Sequence, residues 1–302
     1  MTDKKYVLRS MMFVPGHNER LFDSAAKCNA DALLFDLEDS VQPEKNKLLA
    51  REMIVRRSQE RKFDRFSKFV RVNEINTNLF LQDIIAMTSA NIDGFLLSKS
   101  ETHDDVKYLD NLLSSLEREK GVEPGKFKII PILETTKSIV NCKEIALASD
   151  RNIAIGFGSA DYVSDLQGVR DFDTNLSITH PRSHVAIVAR AFGLEAIDAA
   201  YIKVHDLDGL ERHLQDGKTL GYGGMWVLHP KQNSLANKTY APSKEDYENA
   251  MAAIDLFEEA KRLNKGVAII DGKFIGPPLI VKAKKILERV ELMKAQGKEM
   301  FK

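Results

Sequence analysis

An α/β fold, a (β/α)8 TIM barrel with a C-terminal helical extension, is what the sequence predicts, on three observations. Eight unbroken apolar runs of strand length recur through roughly the first 230 residues, as expected of strands buried on both faces. Amphipathic helical stretches separate successive runs, the mark of repeated βα units. No GxGxxG follows the first run to argue instead for a dinucleotide-binding sheet.

The runs are SMMFVP (10–15), ALLFDL (32–37), KFVRV (68–72), GFLLSK (94–99), KIIPILE (128–134), NIAIGF (152–157), DAAYIKV (198–204) and GMWVLHP (224–230). Between the fourth and fifth, residues 101–120 place Val106, Leu109, Leu112, Leu113 and Leu116 at helical spacing, which predicts a helix on the barrel exterior. The pattern ends near residue 235, so the barrel is assigned to 1–235 and an appended helical segment to 236–302. That segment has too few apolar positions for a core of its own and suits a lid or a subunit contact. Within it, VAIIDGKFIG (267–276) reads as a hairpin, and the last helix (277–296) opens with two prolines, which helix starts tolerate.

Composition removes several functions from consideration. Lys plus Arg and Asp plus Glu both number 44, so no overall field draws the chain to nucleic acid or an anionic membrane. The opening MTDKKYVLRSMMFVPG lacks the apolar core and cleavage site of a secretory signal, and no run is long enough to span a bilayer. A cytoplasmic location is therefore expected. Cys28 and Cys142 make no disulfide framework or metal motif and read as reduced core residues.

In a barrel, chemistry sits at the C-terminal ends of the strands. The runs close on Asp36, Glu38 and Asp39; on Arg71 and Asn73; on Lys99; on Glu134; on Asp161 after a glycine turn; on Lys203 and His205; and on His229. Converging Glu134 and Asp161 would repel unless a cation lay between them. Two carboxylates, with water and substrate completing the shell, suit Mg2+, which would polarise a carbonyl and steady an enolate. Arg71 is placed to hold a substrate carboxylate by a bidentate pair. The bland alternative, helix caps and ion pairs on a solvated rim, stays open for any single residue.

Other motifs carry less. His17, His180 and His229 share no HxH or HExxH spacing, which argues against zinc, and His103, His184 and His213 read as surface or packed residues. GFGSAD lacks the GxSxG pattern, so Ser159 is no nucleophile elbow.

Residues 9–54, RSMMFVPGHNERLFDSAAKCNADALLFDLEDSVQPEKNKLLAREMI, resemble the opening of the citrate lyase β-subunit family, within the malyl-CoA lyase and HpcH/HpaI aldolase group. So do FVRVN (69–73), ILETTKSIVN (132–141), GFGSADYVSDLQ (156–167), ARAFGLEAID (189–198), GMWVLHPKQ (224–232) and YAPSKED (240–246), in the same order. The resemblance implies a TIM barrel whose C-terminal extension covers a neighbouring subunit's site, assembled as a homo-oligomer, usually a trimer. It implies Glu134 and Asp161 as Mg2+ ligands, Arg71 as the anchor of an oxo acid, and Asp36, Glu38 and Asp39 as supports for both. Gly158, Ser159 and Ala160 would contribute to substrate binding. The implied chemistry is cleavage of a 3-hydroxy-acyl thioester of CoA or an acyl carrier protein, of citryl, malyl or citramalyl type, to an acyl thioester and an oxo acid.

The chain departs from that pattern at one telling place. Members often carry DGKMIDGP, whose second Asp reaches the adjacent site as general acid/base, whereas this chain reads DGKFIGPP (271–278), with Gly276 where that Asp would stand. Asp271 lies five residues earlier. Met225 stands where a Lys is frequent, and Lys203 where the seventh strand often ends in an acid. A thioesterase on the same scaffold, or a carrier-dependent or non-catalytic subunit, therefore stands beside the lyase reading.

Overall fold

Parallel pairing closes the eight runs into a ring. In the computed structural model, which describes residues 5–262, 268–270, 273–275 and 277–301, the strands are β1 (Ser10–Pro15), β2 (Ala32–Asp36), β3 (Ser67–Val72), β4 (Gly94–Leu97), β5 (Lys128–Leu133), β6 (Ala154–Phe157), β7 (Glu195–Asp198) and β8 (Gly224–Val227). Each pairs with the next, and β8 pairs back onto β1, so no edge is left unpaired. The chain is a closed (β/α)8 barrel, as its apolar periodicity predicts. Helices α1 (Glu19–Ala25), α2 (Asn46–Arg57), α3 (Phe80–Met87), α4 (His103–Glu119), α5 (Thr136–Val140), α6 (Cys142–Ala146), α7 (Ser159–Asp165), α8 (Leu176–Ala191) and α9 (Leu207–Leu220) fill the connections.

The local physics is ordinary. Helix α4 begins in a capping box, with Thr102 and Asp105 exchanging side-chain and main-chain bonds, and buries Val106, Leu109, Leu113 and Leu116 while Leu112 is half exposed. Cys28 and Cys142 are free and buried, and burial pushes the Cys142 thiol up to about 12. Among the described residues, no helix is long and apolar enough to cross a membrane.

The seventh strand differs from the sequence expectation. It occupies Glu195–Asp198, where Ala154, Ile155 and Gly156 of β6 face Glu195, Ala196 and Ile197, rather than residues 198–204. The ring fixes this register: β7 must lie level with both β6 and β8, and Ile197 faces Gly224. Gly193, at φ +74, ends α8 early enough for the strand to start two residues later. Lys203 and His205 consequently lie exposed on the following loop, and the residue that closes the strand is an acid after all, Asp198.

Two compact units divide the chain, Leu8–Asn237 and a second made of Lys238 onward together with the described residues up to Val7. Helix α10 (Pro230–Tyr240) ends the first and enters the second, which adds α11 (Lys244–Arg262), the antiparallel pair β9 (Ala268–Ile270) and β10 (Lys273–Ile275), and α12 (Pro277–Ala295). Helices α11 and α12 pack through Ala250, Ala253, Ile280 and Ala283, and Val7, Ala241 and Met293 form a further small apolar cluster. Gly276 and Asp271 lie outside the described residues.

The glycine-rich end of β6 has a packing cause. A Cβ on Gly156 would sit 1.9 Å from Cζ2 of Trp226, whose indole Nε1 donates to the Phe157 carbonyl at 3.0 Å. Gly156→Ala is expected to destabilise the barrel by roughly 2–3 kcal/mol through overpacking, read as a lower urea midpoint at unchanged slope.

Candidate active site

Charge gathers at the C-terminal ends of β2, β3, β5 and β6. Asp36, the last residue of β2, is the register partner of Arg71 in β3, so the two side chains leave adjacent parallel strands at one level. Arg71 Nε donates to Asp36 Oδ1 and Nη2 to Oδ2, both at 2.8 Å, a side-on bidentate pair. The Asp36 carboxylate also accepts from the main-chain N–H of Glu38 at 3.0 Å and of Ser40 at 3.1 Å, which folds residues 37–40 into a turn over it. Burial would raise the Asp36 pKa, but Arg71 and Ser40 hold it below the ordinary carboxylate range.

The other edge of Arg71 faces acids. Glu38 Oε2 lies 2.8 Å from Nη1 without hydrogen-bond geometry, so this buried oxygen has no hydrogen-bond partner, and Asp39 Oδ2 is 3.5 Å away on a side chain 67% exposed. The Arg71 guanidinium stacks over Phe13, 4.7 Å from the ring centroid. With one edge committed to Asp36, the terminal Nη1/Nη2 edge is the part of Arg71 that an incoming carboxylate can reach, in competition with Glu38. Burial pushes Glu38 up to about 7, with Asp39 and Asp36 adding to the effect and Arg71 opposing it.

Glu134 follows β5 directly and is buried. Its Oε1 accepts the Lys99 main-chain N–H at 2.8 Å, from a backbone held in the left-handed region at φ 44. The Lys99 ammonium pairs with Glu74 and also feels the charges of Glu38 and Asp161. Burial, then the charge of Glu38, and also Asp161, push Glu134 up to about 8. A Cβ on Gly158 would meet Glu134 Cβ at 2.5 Å and Oε2 at 2.6 Å, so that glycine exists to admit the Glu134 side chain. Asp161 stands in the first turn of α7, half exposed, behind Gly158, buried Ser159 and exposed Ala160. Asp165 belongs to the other side of α7: it accepts from the Thr136 amide and hydroxyl, both at 2.6 Å, and caps α5.

Among the described residues, no Lys, Arg or His side chain forms an ion pair with Glu134 or Asp161, and no ready-made group of three or more His, Cys, Asp or Glu exists to cage a metal. An orphaned buried oxygen on Glu38 and an uncompensated Glu134 beside Asp161 make a donor set that could hold a hard divalent cation with most of its shell left to water and ligand.

Three residues expected at strand ends make contacts among themselves and with the following loops. Lys203 lies with its ammonium 4.4 Å from the Phe172 ring centroid, His205 stacks edge-on to His229, and His229 Nδ1 accepts from Lys231 N at 3.2 Å near the start of α10. Sequence reasoning missed the buried pair Arg182–Asp198, with His213 against it, because the strand-seven register hid Asp198. It also missed Lys47, whose buried ammonium holds the main chain of the acidic turn. Its signal was present, a lysine in the first turn of the helix after an acid-rich strand end.

With this geometry in view, similarity to known proteins can be weighed. Residues 9–230 match the family model for HpcH/HpaI aldolase/citrate lyase. The chain belongs to that family. It is similar to the citrate lyase subunit beta of Leuconostoc mesenteroides subsp. cremoris, 33% identical over 281 residues that cover 93% of this chain and 92% of that protein. It is also similar to a (3S)-malyl-CoA thioesterase of Cereibacter sphaeroides, 30% identical over 297 residues covering 98% and 99% of the two chains. Among solved structures, protein CitE of Mycobacterium tuberculosis in complex with magnesium, acetoacetate and coenzyme A superposes with TM-score 0.73 at 26% identity, covering 93% of this chain and 97% of that one. A citrate lyase beta subunit of the same organism, complexed with oxaloacetate and magnesium, gives TM-score 0.66 at 27% identity, covering 78% and 99%.

A pH dependence follows from Glu134. Its folded pKa of about 8 lies above the ordinary 4.5, so the folded protein keeps a proton that the unfolded chain loses, and this group's penalty on stability grows as pH rises from 4.5 to 8. In the presence of a chelator, Glu134→Gln is expected to melt at a temperature that climbs relative to wild type from pH 5 to pH 8.5, measured by paired thermal melts. A constant difference would contradict the assignment.

Proposed function

We propose that this chain is a Mg2+-dependent carbon–carbon lyase that cleaves a 3-hydroxy-acyl thioester, of citryl, malyl or citramalyl type, into an acyl thioester and an oxo acid. The observation that carries the reading is the acid pair Glu134 and Asp161, which no side chain among the described residues answers with an ion pair, beside an arginine whose terminal edge an incoming carboxylate could take from Glu38. Family membership, and relatives solved with magnesium, oxaloacetate and coenzyme A, support it.

In this reading Glu134 and Asp161 hold the cation. A magnesium ion bound there supplies charge to polarise the substrate oxygen that becomes the oxo-acid carbonyl. Arg71 takes the oxo-acid carboxylate on its Nη1/Nη2 edge, displacing Glu38, while Asp36 keeps the guanidinium plane fixed from the other side. That order matters, because an arginine held bidentately on one edge presents the other at a defined angle. Gly158, Ser159 and Ala160 bring main chain close to the bound acid, and buried Glu38 and Glu134 with half-buried Phe13 around it limit water. Asp39, mostly in solvent, adds a long hydrogen bond from Arg71 Nη1 at 3.5 Å to the same edge.

The extension at 236–302 is proposed as a lid over a neighbouring barrel (1–235) in a homo-oligomer, a trimer by resemblance, in the cytoplasm. Gly276 cannot move a proton, so the acid/base usually supplied by that lid must come from another group. A thioesterase is the second reading, favoured by the relative of that activity that aligns over nearly the whole chain. Hydrolysis needs a polarised thioester and a water but no proton removed from an acyl methyl group, and so tolerates Gly276.

Product identity separates the two. With Mg2+ and a panel of malyl-, citramalyl- and citryl-CoA, release of an oxo acid supports the lyase; free CoA with an intact hydroxy acid supports the thioesterase. Turnover of none, with oxo-acid binding retained, would leave a subunit that works only with partners. At the site itself, Asp161→Ala is expected to lose Mg2+ affinity by more than the roughly 10–100-fold typical of removing an outer partner, without unfolding, as read by calorimetric titration and circular dichroism. Arg71→Lys, which keeps charge but loses the fork, is expected to weaken oxo-acid binding by roughly 100-fold while Mg2+ binding persists.

A further inference from the structure

Lys47 has no role in the chemistry above, yet it is only 5% exposed. It sits in the first turn of α2, where the helix dipole disfavours a cation, so a local cause must hold it there. Its ammonium donates to the Leu37 carbonyl at 2.7 Å, the Glu38 carbonyl at 2.6 Å and Asn73 Oδ1 at 2.9 Å, which uses all three donors. Two of these acceptors are the main chain of the turn that carries Glu38 and Asp39. Asn73 braces the same turn, donating from Nδ2 to the Leu37 carbonyl at 2.9 Å and to Asp83 at 2.6 Å, and Asp83 pairs with Arg51 at 2.7 Å. From the other side, the Leu37 N–H donates to the Arg71 carbonyl at 2.9 Å.

We infer that Lys47 is a positioning residue for the oxo-acid anchor: by clamping the Leu37 and Glu38 carbonyls it sets where the Glu38 carboxylate meets Arg71. It touches neither substrate nor cation. The clamp acts on main chain, so the Glu38 side chain remains free to leave Nη1 when a carboxylate arrives while its backbone stays fixed. Burial lowers the proton affinity of Lys47, with Asp36, Asp83 and Glu38 opposing, so the ammonium is retained by the acids it organises. The inference rests on the reading of Arg71 as the anchor.

The test compares Lys47→Met with Arg151→Met. Arg151, as buried as Lys47, pairs with Glu117 and Asp110 before β6, at the opposite end of the barrel strands, and so controls for lost stability alone. Both variants are studied well below their melting midpoints, with oxaloacetate, glyoxylate and pyruvate as probes at saturating Mg2+. Lys47→Met is expected to weaken oxo-acid binding by roughly tenfold or more, and Arg151→Met by less than about twofold. A second readout needs no ligand: exchange of the Arg71 Nε–H with solvent, followed by nitrogen-15 NMR and assigned by its loss in Arg71→Lys, should quicken by roughly tenfold in Lys47→Met only. Unchanged binding and exchange in Lys47→Met, or equal effects in Arg151→Met, would overturn the inference. If wild type binds no oxo acid with Mg2+, the anchor reading fails instead, and the exchange rate still decides whether Lys47 positions Arg71. Should Lys47→Met fail to fold, Asn73→Ser, which removes one clamp contact and the brace on Leu37, takes its place with the same two readouts.

Discussion

The side-on pair between Asp36 and Arg71 governs what the rest of this barrel end can do. Two charges taken out of water are costly unless every donor and acceptor is used. Asp36 meets that condition: its oxygens accept two bonds from Arg71 and two from the amides of the turn it closes. The pair exists because β2 and β3 run parallel in register, which puts residue 36 beside residue 71. Everything beyond it follows in order. The turn over Asp36 carries Glu38, Glu38 reaches both Arg71 and the neighbourhood of Glu134, and Lys47 and Asn73 tie that turn to α2 and β3.

Charge balance distinguishes this cluster from the others in the fold. Arg182, Asp198 and His213 form a buried group in which the arginine answers the aspartate and the histidine is held neutral by burial. Arg151 with Glu117 and Asp110 is likewise compensated, and its acids are held below their ordinary range despite burial. At the Glu134 end, by contrast, burial pushes two glutamates up to about 7 and 8, and Arg71 and Lys99 only partly offset it. Buried acids left this far above their ordinary range are where a functional site is most reasonably sought.

Much of this was readable beforehand. Unbroken apolar runs identified seven strands nearly in place, and the acids and arginine that close them proved to gather where a barrel puts them. The seventh strand was misplaced because AAYIKV is as apolar as a strand, and only level pairing with β6 and β8 decides between it and the shorter EAID. Of the two glycines in GFGS, only Gly158 is expected from the resemblance to serve a substrate. One of them makes room for Trp226 and the other for Glu134, contacts from residues far away in the chain.

The sequence by itself pointed to the barrel, because eight runs buried on both faces alternate with amphipathic helices, and it determined which residue types stand at the strand ends. Only the tertiary structure decided which of those residues meet. Asp36 finds Arg71, Lys47 finds the carbonyls of the acidic turn, and Lys203 falls on the loop after β7, because closing eight strands into a ring fixes their relative heights, and a one-dimensional pattern holds no record of height.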